Sequence, residues 1–192
     1  MNSQACQDVF VFNVLKQKAD GYFIDIGSQR PIIENNTYYL ESIGWTGLCF
    51  DRDYYDYSNR TCKFFNCDVL SVDFTELFNK EKVPRIVDYL SIDIDENSLA
   101  AFELIPTTYT FKVITIEHDS YRLGLELKNK QKEVLHSLGY YLLCEDVTVG
   151  CLSPGQYFED WWVHPKFIDI DEMEHIKSNK ELCYTIVGKF TI

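Results

Sequence analysis

No run of apolar residues in this chain approaches the ~20 needed to span a bilayer. No basic segment precedes an apolar one at the N-terminus. Asp8 comes early and Asn13 interrupts the only apolar stretch there, so a signal peptide is not expected. Basic charge is in deficit: 18 Lys and Arg stand against 30 Asp and Glu, a formal net charge of −12. Lys and Arg are also scattered singly. A sequence-independent grip on DNA or RNA needs a basic surface that displaces counterions, so nucleic acid is not an expected partner. There is no Cys-x-x-Cys pair among the seven cysteines, Cys6, Cys49, Cys62, Cys67, Cys144, Cys151 and Cys183. An odd count without metal-ligand spacing reads as free thiols in a reducing compartment, and the expected location is the cytoplasm. Repeats and low-complexity linkers are missing too.

What is present suits one domain over residues 1–192, at 46% hydrophobic and 15% aromatic composition. Residues 1–20 read as an N-terminal helix, 21–144 as a cofactor-binding core, and 145–192 as a loop with further strands. The core opens on a strand-helix-strand unit. Tyr22 to Ile26 is a strand that stops at Gly27, and Ser28 to Pro31 is a polar turn. A helix from Asn35 or Asn36 to about Ile43 is closed by Gly44, and a second strand, 47–50, ends on Asp51. Further strands follow at 61–67, 86–94, 111–116 and 140–144, with a short strand or wedge at 161–163. The run 183–187 reads as a possible last strand. Helices fall between them, at 74–78 behind the Asp73-to-Glu76 capping pair, at 96–105, and on the 127, 131, 135, 138 face. Near-continuous apolar strands alternating with helices predict an α/β fold with a mostly parallel, seven-stranded sheet covered on both faces.

In such sheets ligands bind beyond the carboxyl ends of the strands. Those ends carry acids here: Asp51, Asp68, Asp93 with Asp95, and Glu117. A dinucleotide site wants three glycines after the first strand. This chain has one, Gly27, with Asp25 beside it. That suits a ligand with hydroxyls, an amino group and a positive centre rather than phosphates. S-adenosylmethionine is such a ligand. Asp51 would accept its ribose hydroxyls, Asp68 its adenine amino group, and Gly27 would let the backbone pass close by. Asp25, Ser28, Asn36 and Val69 complete the candidate cofactor set.

The segments FIDIGSQRPIIENNTYYLESIGWTGLCFD, NCDVL, DYLSIDIDENSLAAFELI, FKVITIEHD, LHSLGYYLLCEDV and FEDWWVHP resemble the FkbM family of S-adenosylmethionine-dependent methyltransferases, over roughly residues 21–166. The resemblance implies a Rossmann-like class I methyltransferase fold and methyl transfer to an oxygen, on a sugar, glycan or small-metabolite hydroxyl. Two stretches depart from the family: the turn Ser28-Gln29-Arg30-Pro31 lacks a second small residue, and Asp93-Ile94-Asp95-Glu96 stands where the family has Asp-Ile-Glu-Gly.

Methyl transfer to a hydroxyl is an in-line displacement that depends on alignment and on removal of a proton. His118 is the expected base, because its ordinary pKa lies near neutrality. Asp93 and Glu117 are the other catalytic candidates. With Asp95 they also form a candidate set of oxygen ligands for Mg²⁺. Trp161 and Trp162 offer faces for a sugar. Two other readings compete. One is a metal-dependent glycosyltransferase built on Asp93-x-Asp95. The other is a non-catalytic binding module on a degenerate methyltransferase scaffold.

Overall fold

The structure, a computed structural model, describes residues 2–190. In chain order the elements are α1 (Gln7–Val14), β1 (Tyr22–Ile26), α2 (Tyr38–Ser42), β2 (Thr46–Asp51), β3 (Lys63–Asn66), α3 (Phe74–Lys80) and β4 (Ile86–Ile92). Then come α4 (Ser98–Leu104), β5 (Thr110–Glu117), α5 (Ser120–Leu123), α6 (Leu125–Ser137), β6 (Tyr141–Val147), β7 (Glu159–Val163), α7 (Ile170–Met173), β8 (Ser178–Asn179) and α8 (Cys183–Gly188). The eight strands form one sheet in the order β3-β2-β1-β4-β5-β7-β6-β8. Strands β1 to β5 are mutually parallel, while β7 runs antiparallel between β5 and β6.

The sheet is buried on both sides because its strands are apolar at nearly every position. One core gathers Phe10, Val11, Leu40, Tyr89, Val113 and Trp161 under α1, α2 and α8. The other gathers Ile24, Phe50, Phe74, Phe78, Leu135 and Trp162 under α3, α4 and α6. The two tryptophans are neighbours in β7, so pleating sends them to opposite faces. Both are fully buried. Neither can stack on a sugar here, which corrects that expectation.

The sheet has eight strands rather than seven. The run from Cys183 is a helix, not a strand: Cys183 and Ile186, one helical turn apart, are buried while Tyr184 is 56% exposed. The sheet edge it might have joined is taken by the two-residue β8. The helix expected at 35–43 begins later, at Tyr38: Asn35 Oδ1 holds the preceding turn, accepting from the Thr37 and Tyr38 amides at 3.1 and 2.8 Å. The N-terminal helix shortens to α1, and Met1 of that expected span lies outside the described residues. The Asp73 cap of α3 forms as read, accepting from the Glu76 amide at 3.0 Å. Among the described residues, no helix is long and apolar enough to cross a membrane.

Candidate functional site

The strand order reverses at β1, between its neighbours β2 and β4. At the carboxyl ends of these three strands lies a cavity of about 460 Å³, whose walls include Gly27, Asp51, Asp68, Val69, Asp93 and Asp95. Five of these six are residues singled out from sequence as cofactor or catalytic candidates, and Asp95 is in the metal set.

Asp51 ends β2 with both carboxylate oxygens held by backbone. Oδ2 accepts from the Gln29 amide at 2.8 Å and Oδ1 from the Asp53 amide at 2.8 Å. The carboxylate therefore ties the β1 turn to the end of β2 and keeps a fixed orientation at the cavity wall. Asp68 accepts from the Leu70 amide at 3.0 Å and caps a single 3₁₀ turn over Val69–Ser71. That cap fixes Val69 against the cavity.

Gly27 has φ +85°, and a Cβ there would meet the Asp93 carbonyl oxygen at 1.9 Å. The glycine is required by the neighbouring strand end, inside the protein, whatever ligand occupies the cavity. Ser28 is buried and serves the same turn. Its amide and hydroxyl donate to the Phe50 carbonyl, at 3.1 and 3.4 Å. Its own carbonyl accepts from Asn35 Nδ2 at 2.9 Å.

A buried arginine that sequence reading missed organises this turn from below. Arg60 donates to the Pro31 carbonyl at 2.6 Å, to Asn35 Oδ1 at 3.0 Å and to the Thr37 hydroxyl oxygen at 3.2 Å, and pairs with Glu41 at 2.8 Å. The Thr37 hydroxyl in turn donates to Asp25 Oδ2 at 2.9 Å. Burial raises the Asp25 carboxyl to about 6, with Thr37 and Arg60 pulling it back. Nothing local in the sequence marks Arg60, since its partners lie about 20 to 30 positions away. Asn36 donates to the Ser91 hydroxyl at 2.9 Å. It shares a small cavity of about 50 Å³ with Asp25, Gly27, Asp93 and Gln4.

A third cavity, about 240 Å³, lies beyond Asp95, among Gln4, Glu117, Asp119, Tyr121, Leu152 and Phe158. Asp95 lines both this cavity and the largest one. On the ridge between them Asp93 and Glu117 interact. Burial, first, and then each other's charge hold the Glu117 carboxyl well above the usual range. Asp93 is raised as well, chiefly by burial. Glu117 also accepts the Asp95 amide at 2.8 Å.

The expected Mg²⁺ set of Asp93, Asp95 and Glu117 is not the one brought together. The clustered acids are Asp95, Glu117 and Asp119, with candidate ligand atoms within 4.8 Å of one another. This group already has a cation. Arg122 bonds Asp95 and reaches Asp119 Oδ2 at 2.5 Å. Asp119 and Arg122 stand three apart in sequence, a spacing that could have flagged the pair.

His118 is turned away from all of this. Glu117 is the last residue of β5 and His118 the first beyond it, so the extended chain sends their side chains to opposite sides. His118 is fully buried. Its Nδ1 accepts from the Ser120 amide at 3.0 Å. Its Nε2 faces Asp160 at 3.4 Å and Asp146 at 3.6 Å and makes no hydrogen bond to a described residue. Lys128 from α6 neutralises Asp146 at 2.6 Å. His118, Asp146 and Asp160 form a second group of candidate ligand atoms within 4.8 Å of one another. His118, the expected base, is thus buried and does not line the two larger rim cavities.

No family model and no curated protein matches the chain.

Proposed function

We propose that this protein is an S-adenosylmethionine-dependent methyltransferase with a Rossmann-like class I fold, acting on a hydroxyl of a sugar, glycan or small metabolite. The observation that carries the reading is the position of Asp51: an oriented carboxylate at the end of β2, in the wall of the largest rim cavity, beside the Gly27 turn. The strand order of β3, β2, β1, β4 and β5 is the order of nucleotide-binding halves, and their ligands sit at the reversal point. The cavity's volume of about 460 Å³ is in the range for a cofactor of this size. Its acids accept hydrogen bonds from hydroxyls and amino groups, and repel phosphates. The resemblance to the FkbM family agrees with each of these points.

When bound, the cofactor supplies a methyl group on a sulfonium. The chain's own residues do the rest. Asp51 accepts from the ribose hydroxyls without reorienting, because Gln29 and Asp53 already hold it. Val69 and Asp68 form the adenine side. The acceptor enters by the 240 Å³ cavity that shares Asp95 with the first. Asp93, in the wall of the cofactor cavity, takes the proton of an acceptor that reaches past Asp95. Mg²⁺ would have to displace Arg122 from Asp95 and Asp119, so no step is assigned to it.

Titration calorimetry with S-adenosylmethionine and S-adenosylhomocysteine tests the reading. Binding of both at micromolar to sub-millimolar concentration is expected. Binding of neither at millimolar concentration sinks it, and binding of a nucleotide sugar with Mn²⁺ instead would point to glycosyl transfer. Binding without turnover on any hydroxyl acceptor would leave a binding module.

A further inference from the structure

Two cysteines from opposite ends of the chain meet at the edge of the first core. Cys6 and Cys183 are 177 positions apart, yet their Sγ atoms lie 3.4 Å from each other. Cys6 immediately precedes α1 with φ +61°, and Cys183 is the first residue of α8. Cys6 is partly exposed and Cys183 is buried. Contact between the two thiols lowers the Cys6 pKa and, with burial, raises that of Cys183, so Cys6 is the attacking thiol of the pair.

A second close pair differs in access. Cys49 and Cys62 are 3.6 Å apart, and both are buried. Burial pushes the Cys49 thiol well up. With both sulfurs buried, the pair is out of reach of a dissolved oxidant. Cys151 is exposed but has no thiol partner in the structure's close pairs.

The segment before Cys6 is a strap over the rim. Asn2 accepts from the Asn35 amide at 2.9 Å, Ser3 bridges Glu34, and the Ser3 hydroxyl donates to Asp8 at 2.6 Å. Gln4 lines both the 50 Å³ and the 240 Å³ cavities. Whatever fixes Cys6 fixes the root of this strap.

We propose that Cys6 and Cys183 form a redox latch, a disulfide that ties the N-terminal strap and α1 to α8 and holds Gln4 over the rim cavities. The oxidant is a low-molecular-weight disulfide. The Cys6 thiolate attacks one sulfur of glutathione disulfide, forming a mixed disulfide and releasing one glutathione thiolate. The Cys183 sulfur then attacks the Cys6 sulfur and expels the second glutathione. Its proton passes to that leaving thiolate. Two protein thiols are oxidised by two electrons, and one glutathione disulfide is reduced to two thiols. At 3.4 Å the two sulfurs are already in contact, and a bond of ~2.05 Å requires a further approach of little more than 1 Å.

The test incubates the full chain with glutathione disulfide, quenches by alkylation and maps peptides without reduction. The expected result is a mass lower by two hydrogen atoms and a Cys6–Cys183 cross-link, with Cys49 and Cys62 still reduced. The thermal midpoint should rise by about 10 °C, as closure of so long a loop predicts. Amide exchange across residues 2–14 should slow, and dithiothreitol should reverse all three effects. Cys183→Ser should yield only the glutathione adduct at Cys6, with no midpoint gain. Alkylation of both Cys6 and Cys183 after oxidation, or a cross-link through other cysteines, overturns the latch. So does a cross-link that leaves strap exchange unchanged.

Discussion

The Asp93 carbonyl oxygen occupies the space a side chain at Gly27 would need, 1.9 Å from an ideal Cβ position. The end of β1 and the end of β4 are thus locked together at the strand-order reversal. Gly27→Ala is expected to cost about 3 kcal/mol or more, because the obstacle is backbone and the φ of +85° adds strain. Urea unfolding of the apoprotein reads this directly. An unchanged midpoint would mean the two strand ends are not in contact.

Asp51→Ala should weaken S-adenosylmethionine binding by about tenfold to a hundredfold, from the loss of charge-assisted hydrogen bonds to the ribose. It should also cost about 1 kcal/mol of stability, since the Gln29 and Asp53 amides lose their acceptor. Calorimetry at a temperature where the variant is folded separates the two effects. Unaltered affinity in a folded variant removes Asp51 from the ribose.

His118 and Asp93 should part company on mutation. His118→Ala leaves the Asp146 and Asp160 carboxylates facing a hole and is expected to lower stability by about 2–4 kcal/mol. Turnover per folded molecule should stay within a few-fold. Asp93→Asn should lower turnover by about a hundredfold or more, with cofactor affinity nearly kept. A large loss of turnover in a stably folded His118 variant would return the base role to it.

Stability should fall as pH rises from mildly acid to mildly alkaline. Burial raises Glu159 to about 8, against hydrogen bonds from Trp161 and Gln7, and raises Asp25 to about 6. Their unfolded values lie near 4, so over this window the folded state binds more protons than the unfolded state and stability declines with pH. On the acid side the sign reverses. Burial works against Asp88, yet Lys112, Lys18 and the Tyr22 amide lower its pKa. Its contribution is lost as pH falls below the unfolded value. The maximum is therefore expected near about pH 5. Chemical denaturation across a pH series checks it. A steady gain in stability from pH 5 to 8 would contradict the assignment, and Glu159→Gln should flatten the alkaline limb.

Arg122 should compete with metal. In the wild type, millimolar Mg²⁺ or EDTA is expected to leave both the melting temperature and any turnover unchanged. In Arg122→Ala, the acids Asp95 and Asp119 lose their cation, and Mg²⁺ should then raise the melting temperature measurably. Stabilisation of the wild type by Mg²⁺ would show that the guanidinium is readily displaced.

The sequence by itself determined the strand and helix alternation, the mostly parallel sheet, and the row of acids at the strand ends. These are local properties: hydrophobic period, turn residues and caps act within a few positions. It also marked Gly27, but not the Asp93 carbonyl that leaves no room there for a side chain. Only the tertiary structure decided which cavity each of those acids lines: Asp51, Asp68 and Asp93 the largest, Glu117 the 240 Å³ one, and Asp95 both. Glu117 and His118 are adjacent, and the extended chain sends them to opposite sides, but which side meets the rim depends on the strands and helices packed around β5. Arg60 beneath the turn and the two tryptophans of β7 were decided the same way, by neighbours far off in the chain. The helix from Cys183 was settled by an edge already taken by β8 and by a core ready to cover Ile186. Acids, a glycine and their order are written in the sequence. Their orientation, partners and protonation follow from burial and long-range contact, which only the folded chain supplies.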